Sequence, residues 1–417
     1  MADNYCHASG TSLCGIVIDA PGTPDGQVVD GRPGTADSPP GTPDGRISDA
    51  PPGTPDAPVV PDAPTIPDAP QSPPDAPCKP LLEDVETEGS PEFSDVNLDS
   101  GGTLHVSYVR AATSELWYAR KVPGGTWQHA MVDDATTFKK DQFVDASGGV
   151  HIVYTQESAT TNLILRYAHL PPGSDHWSNE TVTSDGQPID GTIAVDPSGT
   201  IDIAYYDRFA GTLNLATRGS SQTDWTVDPI DTDGDVGEFP SLGLVPANSR
   251  IAVSYRDVSN KTLKLANRIG GTWLIRTVDN TADVGSYTSI AIDKGGNEHI
   301  AYSNNTAGSL RYMLVDAGGG MPVRLLADMG QTGRWNSIGV DPLGGVHIST
   351  QAFGANELHV AYRAGSGTFS ATPIDSASGK VGRFTSIAVD SLGGAHVTYN
   401  DDSHATIRHA FLCPPGQ

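Results

Sequence analysis

An all-β fold is predicted, built of seven four-stranded antiparallel units, and three observations carry the prediction. The stretch "VDASGGVHIVY", Val144 to Tyr154, returns as "LDSGGTLHVSY", "VDPSGTIDIAY", "IDKGGNEHIAY", "VDPLGGVHIST" and "VDSLGGAHVTY". The aligned positions Asp99, Asp145, Asp196, Val245, Asp293, Asp341 and Asp390 lie 46 to 51 residues apart, so residues 81–417 divide into seven units. Each unit holds four short β-prone runs separated by Gly-rich or Ser/Asn/Asp-rich turns, as antiparallel hairpins require. Four strands every ~40–50 residues is the pattern of a propeller blade, whose two apolar faces are buried only by stacking on neighbours. A seven-bladed β-propeller follows.

The first element is not part of the ring. Residues 1–77 carry 17 of the 32 prolines, 11 acidic residues, two arginines and a single aromatic, Tyr5. Such a chain cannot offset the entropy of ordering and is expected to be a disordered, extended stalk. Residues 78–417 form the second domain. No basic and apolar leader is visible in "MADNYCHASG", and no window approaches ~18 consecutive apolar residues, so no transmembrane segment is expected. The formal charge of −25 disfavours a nucleic-acid partner.

Next comes a strand out of place. "KPLLEDVETEGSPEFSDVNLD" aligns with "WLIRTVDNTADVGSYTSIAID", the end of one unit and the start of another, whereas the seventh unit stops after its third strand. Residues around Leu81 to Glu88 are therefore expected to pair with Thr406 to Leu412 and complete the last blade. That pairing brings Cys78 beside Cys413, and a disulfide there would contribute on the order of 4–5 kcal/mol. It implies an oxidising compartment, extracellular or periplasmic. Cys6 and Cys14 are expected to close a second, small loop in the tail.

Within the units, His105, His151, His299, His347 and His396 share one second-strand position, and Tyr108, Tyr154, Tyr205, Tyr255, Tyr302 and Tyr399 follow three residues on. Blades are related by rotation, so these histidines cannot converge on one metal. They read as structural, bonded to backbone or to the Asp of their own turn. Trp127, Trp177, Trp225 and Trp273 recur in the same way and read as packing anchors.

Function should lie where the repeat is broken. At the start of the first strand one position carries Phe93, Lys139, Asp190, Phe239, Tyr287, Trp335 and Phe384. These side chains either ring the mouth of the central channel, where sugars could stack, or pack between blades. Beyond the second-strand Tyr come Arg110, Asp207, Asp257, Asn304 and Asp401, on the face shared by the fourth-to-first and second-to-third loops. Basic residues gather on that rim too, among them Lys140, Arg208, Arg256, Arg334, Lys380 and Arg383, and would favour an anionic ligand. The acidic loop "DTDGDVGE" offers Asp231, Asp233 and Asp235 as a weak calcium candidate, with the glycine at the wrong step for a calcium-binding loop; otherwise no cofactor is expected.

The units "VDxxGxxHIxYxD…LxYA…W…TVD" resemble bacterial propellers grouped with the sialidase-like, or BNR, repeats. Sialidases clamp a carboxylate with three arginines from different blades, a role the resemblance would give to Arg110, Arg334 and Arg383. The chain departs from that pattern: "GGTW" at Gly124–Trp127 and Gly270–Trp273 lacks the Asp of the sialidase box, and sialidases have six blades. No catalytic set can be assembled from the residues. The expectation is a monomeric, secreted or surface-tethered binding protein, lectin-like, with a glycan or an exported protein on the loop-rich face. The alternatives are a sialidase-like hydrolase or polysaccharide lyase, and a structural surface protein without a small ligand.

Overall fold

A computed structural model describes residues 78–415, apart from Thr136 and residues 159–161, 246–248, 318–319 and 377–378. The expected stalk and the Cys6–Cys14 pairing lie outside the described residues. Within them the chain forms 28 strands in seven four-stranded sheets. Strand β1 (Leu81–Glu86) is followed by the first complete blade, β2 (Pro91–Leu98), β3 (Leu104–Arg110), β4 (Glu115–Lys121) and β5 (Gln128–Asp133), hydrogen-bonded in chain order. Five more blades repeat this, their innermost strands being β6 (Thr137–Val144), β10 (Pro188–Val195), β14 (Val236–Val245), β18 (Val284–Ile292) and β22 (Arg334–Val340).

The seventh blade closes as expected. Its order is β1, β28 (Thr406–Leu412), β27 (Ala395–Asp401), β26 (Val381–Val389), with Leu81 opposite Phe411 and Asp84 opposite Arg408. Cys78 and Cys413 are disulfide-bonded, their Cα atoms 5.7 Å apart. Strand direction places this bond on the face of the turns that follow the innermost strands, opposite the face where those strands begin.

Burial follows from each strand's place. The second strand is covered on both sides by sheet neighbours and adjoining blades, so six of the seven residues of β3 are buried. The fourth strand is outermost, and only one of the six residues of β5 is buried. The apolar core is not one mass. It divides into seven clusters, one at each blade interface, and the last joins Val85 and Ile407 of the closing blade to Val96, Val106 and Tyr108 of the first. Trp177 and Trp225 pack edge-on against Tyr118 and Tyr167 of the preceding blade.

The repeated histidines are bonded within this frame. His151 Nε2 lies 3.1 Å from Asp145 Oδ2 and its Nδ1 2.6 Å from the Tyr167 hydroxyl. Asp145 Oδ1 accepts the N–H groups of Ser147 and Gly149, which fixes the turn, and Gly148 supplies the positive φ of 86°. The second-strand tyrosines tie blades together: Tyr255 and Tyr302 donate to Asp231 and Asp279, each at the end of the preceding blade's fourth strand.

A second tie runs around the channel. The side-chain oxygen of Asp95, Asp141, Thr192, Ser241, Ser289, Ser337 and Ser386 accepts a backbone N–H from the innermost strand of the next blade, at 2.8–3.2 Å. The last of these bonds, Val96 N–H to Ser386 Oγ, crosses the closure, so the belt is complete. Ser289→Ala strips the acceptor from Ile338 N–H and is expected to cost about 1–3 kcal/mol. Denaturant unfolding of the variant reads that loss, and an unchanged midpoint would show that the belt adds nothing.

Candidate functional site

The channel mouth is built from one backbone irregularity repeated seven times. In each blade the pairing of first and second strand slips near the start of the first. At the slip sit Phe93, Lys139, Asp190, Phe239, Tyr287, Trp335 and Phe384, with φ between 49° and 56°. This left-handed conformation costs a residue with a Cβ roughly 1–2 kcal/mol. It persists because neighbouring blades hold it: Thr288 and Asn336 donate to the carbonyls of Phe239 and Tyr287. In blades four to seven a glycine lies two residues earlier, pressed on the preceding blade; a Cβ on Gly382 would meet the Glu357 carbonyl oxygen at 2.8 Å. All seven blades share the conformation, so it belongs to the architecture. What differs is the side chain each blade puts on it.

Those side chains divide into two arcs. Phe239, Tyr287, Trp335, Phe384 and Phe93 form a continuous run, with successive ring centroids 4.6, 4.8, 4.3 and 4.1 Å apart. Lys139 and Asp190 complete the circle as an ion pair, and the Lys139 ammonium lies 5.9 Å from the Phe239 ring centroid. The aromatic rings therefore touch one another, yet all but Phe384 keep part of their surface exposed. The rings thus line the mouth and pack against one another across blades. Behind the rings, Asp95, Lys140 and Asp141 join the wall of a cavity of about 250 Å³ on the axis. Burial pushes the Lys140 ammonium down and the Asp141 carboxyl up, so each is shifted toward its neutral form.

Of the ten residues expected at a ligand site, Lys139, Tyr287 and Trp335 line this cavity. Arg334 and Arg383 flank it. Arg334 is exposed and stacks on Phe353 at 4.1 Å, while Arg383 stacks on Phe384 at 4.5 Å and pairs with Asp402 at 3.0 Å. Arg110 is not on the cavity wall: it bonds Glu86 at 2.7 Å and stacks on Trp117. Asp207, Asp257, Asn304 and Asp401 each accept backbone N–H groups of their own second-to-third turn. Among the rim cations, Arg256 pairs with Asp283 and Glu238.

In the acidic loop, Asp231 Oδ2 accepts from Tyr255 and Lys264, and Asp235 accepts from Tyr206, while Asp233 is exposed. Among the described residues no group of three or more His, Cys, Asp or Glu side chains is placed to hold a metal. Asp95 and Asp141 were not singled out by sequence. The usable signal was the oxygen-bearing side chain two residues beyond the mouth position in every blade.

No family model matches the chain, and no curated protein does. Solved structures do. A PL25 ulvan lyase superposes with a TM-score of 0.53 at 12% identity, over 77% of this chain and 91% of that one. YCF48 from Cyanidioschyzon merolae gives 0.52 at 10%, over 79% and 98%. A sialidase, Hadza microbial Hz136, gives 0.45 at 11%, over 77% and 65%. At such identities the likeness is one of fold, and the fold carries several functions.

Proposed function

We propose that the protein binds carbohydrate at the aromatic channel mouth and works in an oxidising compartment outside the cytoplasm. The observation that carries this reading is the run of five touching, mostly part-exposed aromatic rings beside a Lys–Asp pair. Such a wall matches a pyranose, which has an apolar C–H face and a polar edge. The Cys78–Cys413 bond supports the compartment. No helix among the described residues is long and apolar enough to cross a membrane. A single hexose has ~12 non-hydrogen atoms and, at about 0.3 kcal/mol per atom, binds at roughly millimolar affinity. Useful affinity would come from longer chains or multivalent display.

The test is a glycan array followed by calorimetry on any hit. Trp335→Ala is expected to weaken binding at least tenfold, since a stacked aromatic contributes about 1 kcal/mol beyond its buried area. Binding to no glycan at all would remove the reading. Incubating the hit and assaying new reducing ends and unsaturated uronate separates binding from cleavage, and product release would favour the hydrolase or lyase alternative.

A further inference from the structure

Three polar atoms on the cavity wall are buried and meet no hydrogen-bond partner among the described residues: Lys140 Nζ, Asp190 Oδ2 and Thr385 Oγ1. Lys140 is the most informative. Its side chain is 1% exposed, and its ion-pair partner Asp95 Oδ2 is 3.9 Å away, beyond hydrogen-bonding range. An ammonium has three protons to donate, and burying them unmet is costly. Asp190 presents the complementary case: Oδ1 is taken by Lys139, and Oδ2 is left to accept. A ligand that meets both must donate and accept.

Charge narrows the ligand further. Three carboxyl groups, Asp95, Asp141 and Asp190, and two ammonium groups, Lys139 and Lys140, line the cavity. Burial shifts both Asp141 and Lys140 toward their neutral forms, and with both neutral, or with Asp141 alone neutral, the five groups stay within about one unit charge of balance. Arg383 on the rim is matched by Asp402. A uronate, a sulfate or an amine would each bring an uncompensated charge into a buried, balanced site. A hydroxyl group would not.

Resting on the carbohydrate reading, we infer that the group entering the mouth is an uncharged pyranose, its C–H face on the Phe239–Tyr287–Trp335–Phe384–Phe93 arc and its hydroxyls meeting Lys140 Nζ and Asp190 Oδ2 once those buried side chains turn toward the cavity. The rim cations suggest an anionic ligand in the sequence; in the fold Arg256 and Arg383 pair with carboxylates and Arg334 stacks on Phe353, outside the cavity wall.

The experiment titrates the full chain by calorimetry with the methyl glycosides of glucose, galactose and mannose and with the matching uronates, at about 50 and 500 mM salt. At least one neutral glycoside is expected to bind, with its uronate at least tenfold weaker. Affinity for the neutral sugar should change less than about twofold with salt, since screening acts on net charges. Lys140→Met and Asp190→Asn should each weaken it about tenfold or more. Because Lys140 is buried, thermal unfolding accompanies each variant, and a folded Asp190→Asn decides the matter if Lys140→Met does not fold. Tighter binding of a uronate, a steep fall of affinity with salt, or folded variants that bind as well as the parent would each overturn the inference while leaving carbohydrate binding intact. Silence across both sets of sugars overturns this inference, while the glycan array decides the carbohydrate reading separately.

Discussion

Replacing Cys78 and Cys413 by serine is expected to lower the thermal midpoint by roughly 5–10 °C, with the ring still closed. The bond spans 335 residues of sequence, so in the unfolded chain it restrains a long loop, worth about 4–5 kcal/mol on the chain-entropy account. A domain of this size loses ~1–2 °C per kcal/mol. The seam retains much without it: β1 stays paired with β28, Lys121 bonds Glu83 at 2.6 Å, and the belt still crosses from Ser386 to Val96. Removing residues 78–88 altogether should be far more damaging, because β28 then becomes an open edge and Val85 leaves the seventh interface. Calorimetric scans of the two variants read the difference. Equal losses would mean that the covalent bond, and not the strand, carries the closure.

Acidification is expected to destabilise the ring in two stages. Burial lowers His105, His299 and His347, and takes His151 and His396 down to about 4. In the unfolded chain these imidazoles titrate near 6.5. Between those values the unfolded state binds more protons, so stability is complete above about pH 6.5 and drains away as pH falls toward 4. His151 and His396 each account for up to about 3 kcal/mol of that loss. His359 works the other way, since hydrogen bonding to Asp328 raises it, and so do Asp141, Asp202 and Glu238, whose carboxyls burial raises; six lowered histidines, His169 among them, stand against these four groups. The second stage belongs to carboxylates. His409 chiefly, with Lys121, holds Glu83 down at about 2; at Asp145, burial pulls upward but donors from Ser147, His151 and Gly149 outweigh it and hold it at about 2 as well. Their contribution is present above about pH 4.5 and is lost as pH drops toward 2. Thermal midpoints across pH 7.5 to 3 test this. A flat profile from 7 to 4.5 would mean that the histidines protonate within the fold without penalty.

Much of the architecture was readable from residue types because it repeats. The "VDxxGG" turn announces itself through an Asp that caps and a Gly that takes positive φ, and the displaced "LLEDVE" strand is visible because the seventh unit lacks its own. Partnership across blades was harder to read. Arg110 lies on the expected rim in sequence, but Glu86, 24 residues away on the closing blade, captures it. Asp207, Asp257, Asn304 and Asp401 stand where a ligand would be sought, and their carbonyl or carboxyl oxygens turn back on their own loops. The mouth position was correctly aligned, whereas the left-handed backbone that aims it has no signature in residues such as Trp335 or Phe93, which rarely adopt it. Lys140 counted as one more rim cation until the fold buried it.

The place of the disulfide also fixes how the ring answers to force. β1 and β28 run antiparallel, and the chain joins the ring at Cys78, the same end at which β28 stops. A pull on the chain ahead of Cys78 would otherwise peel β1 from β28 one hydrogen bond at a time, the geometry that yields most easily. With Cys413 bonded at that point the peel cannot start, and the load passes into β28 and the blade behind it. The bond lies on the face away from the aromatic mouth, so a pull applied at Cys78 against a load at the mouth would run through the ring along its axis without opening the β1–β28 seam.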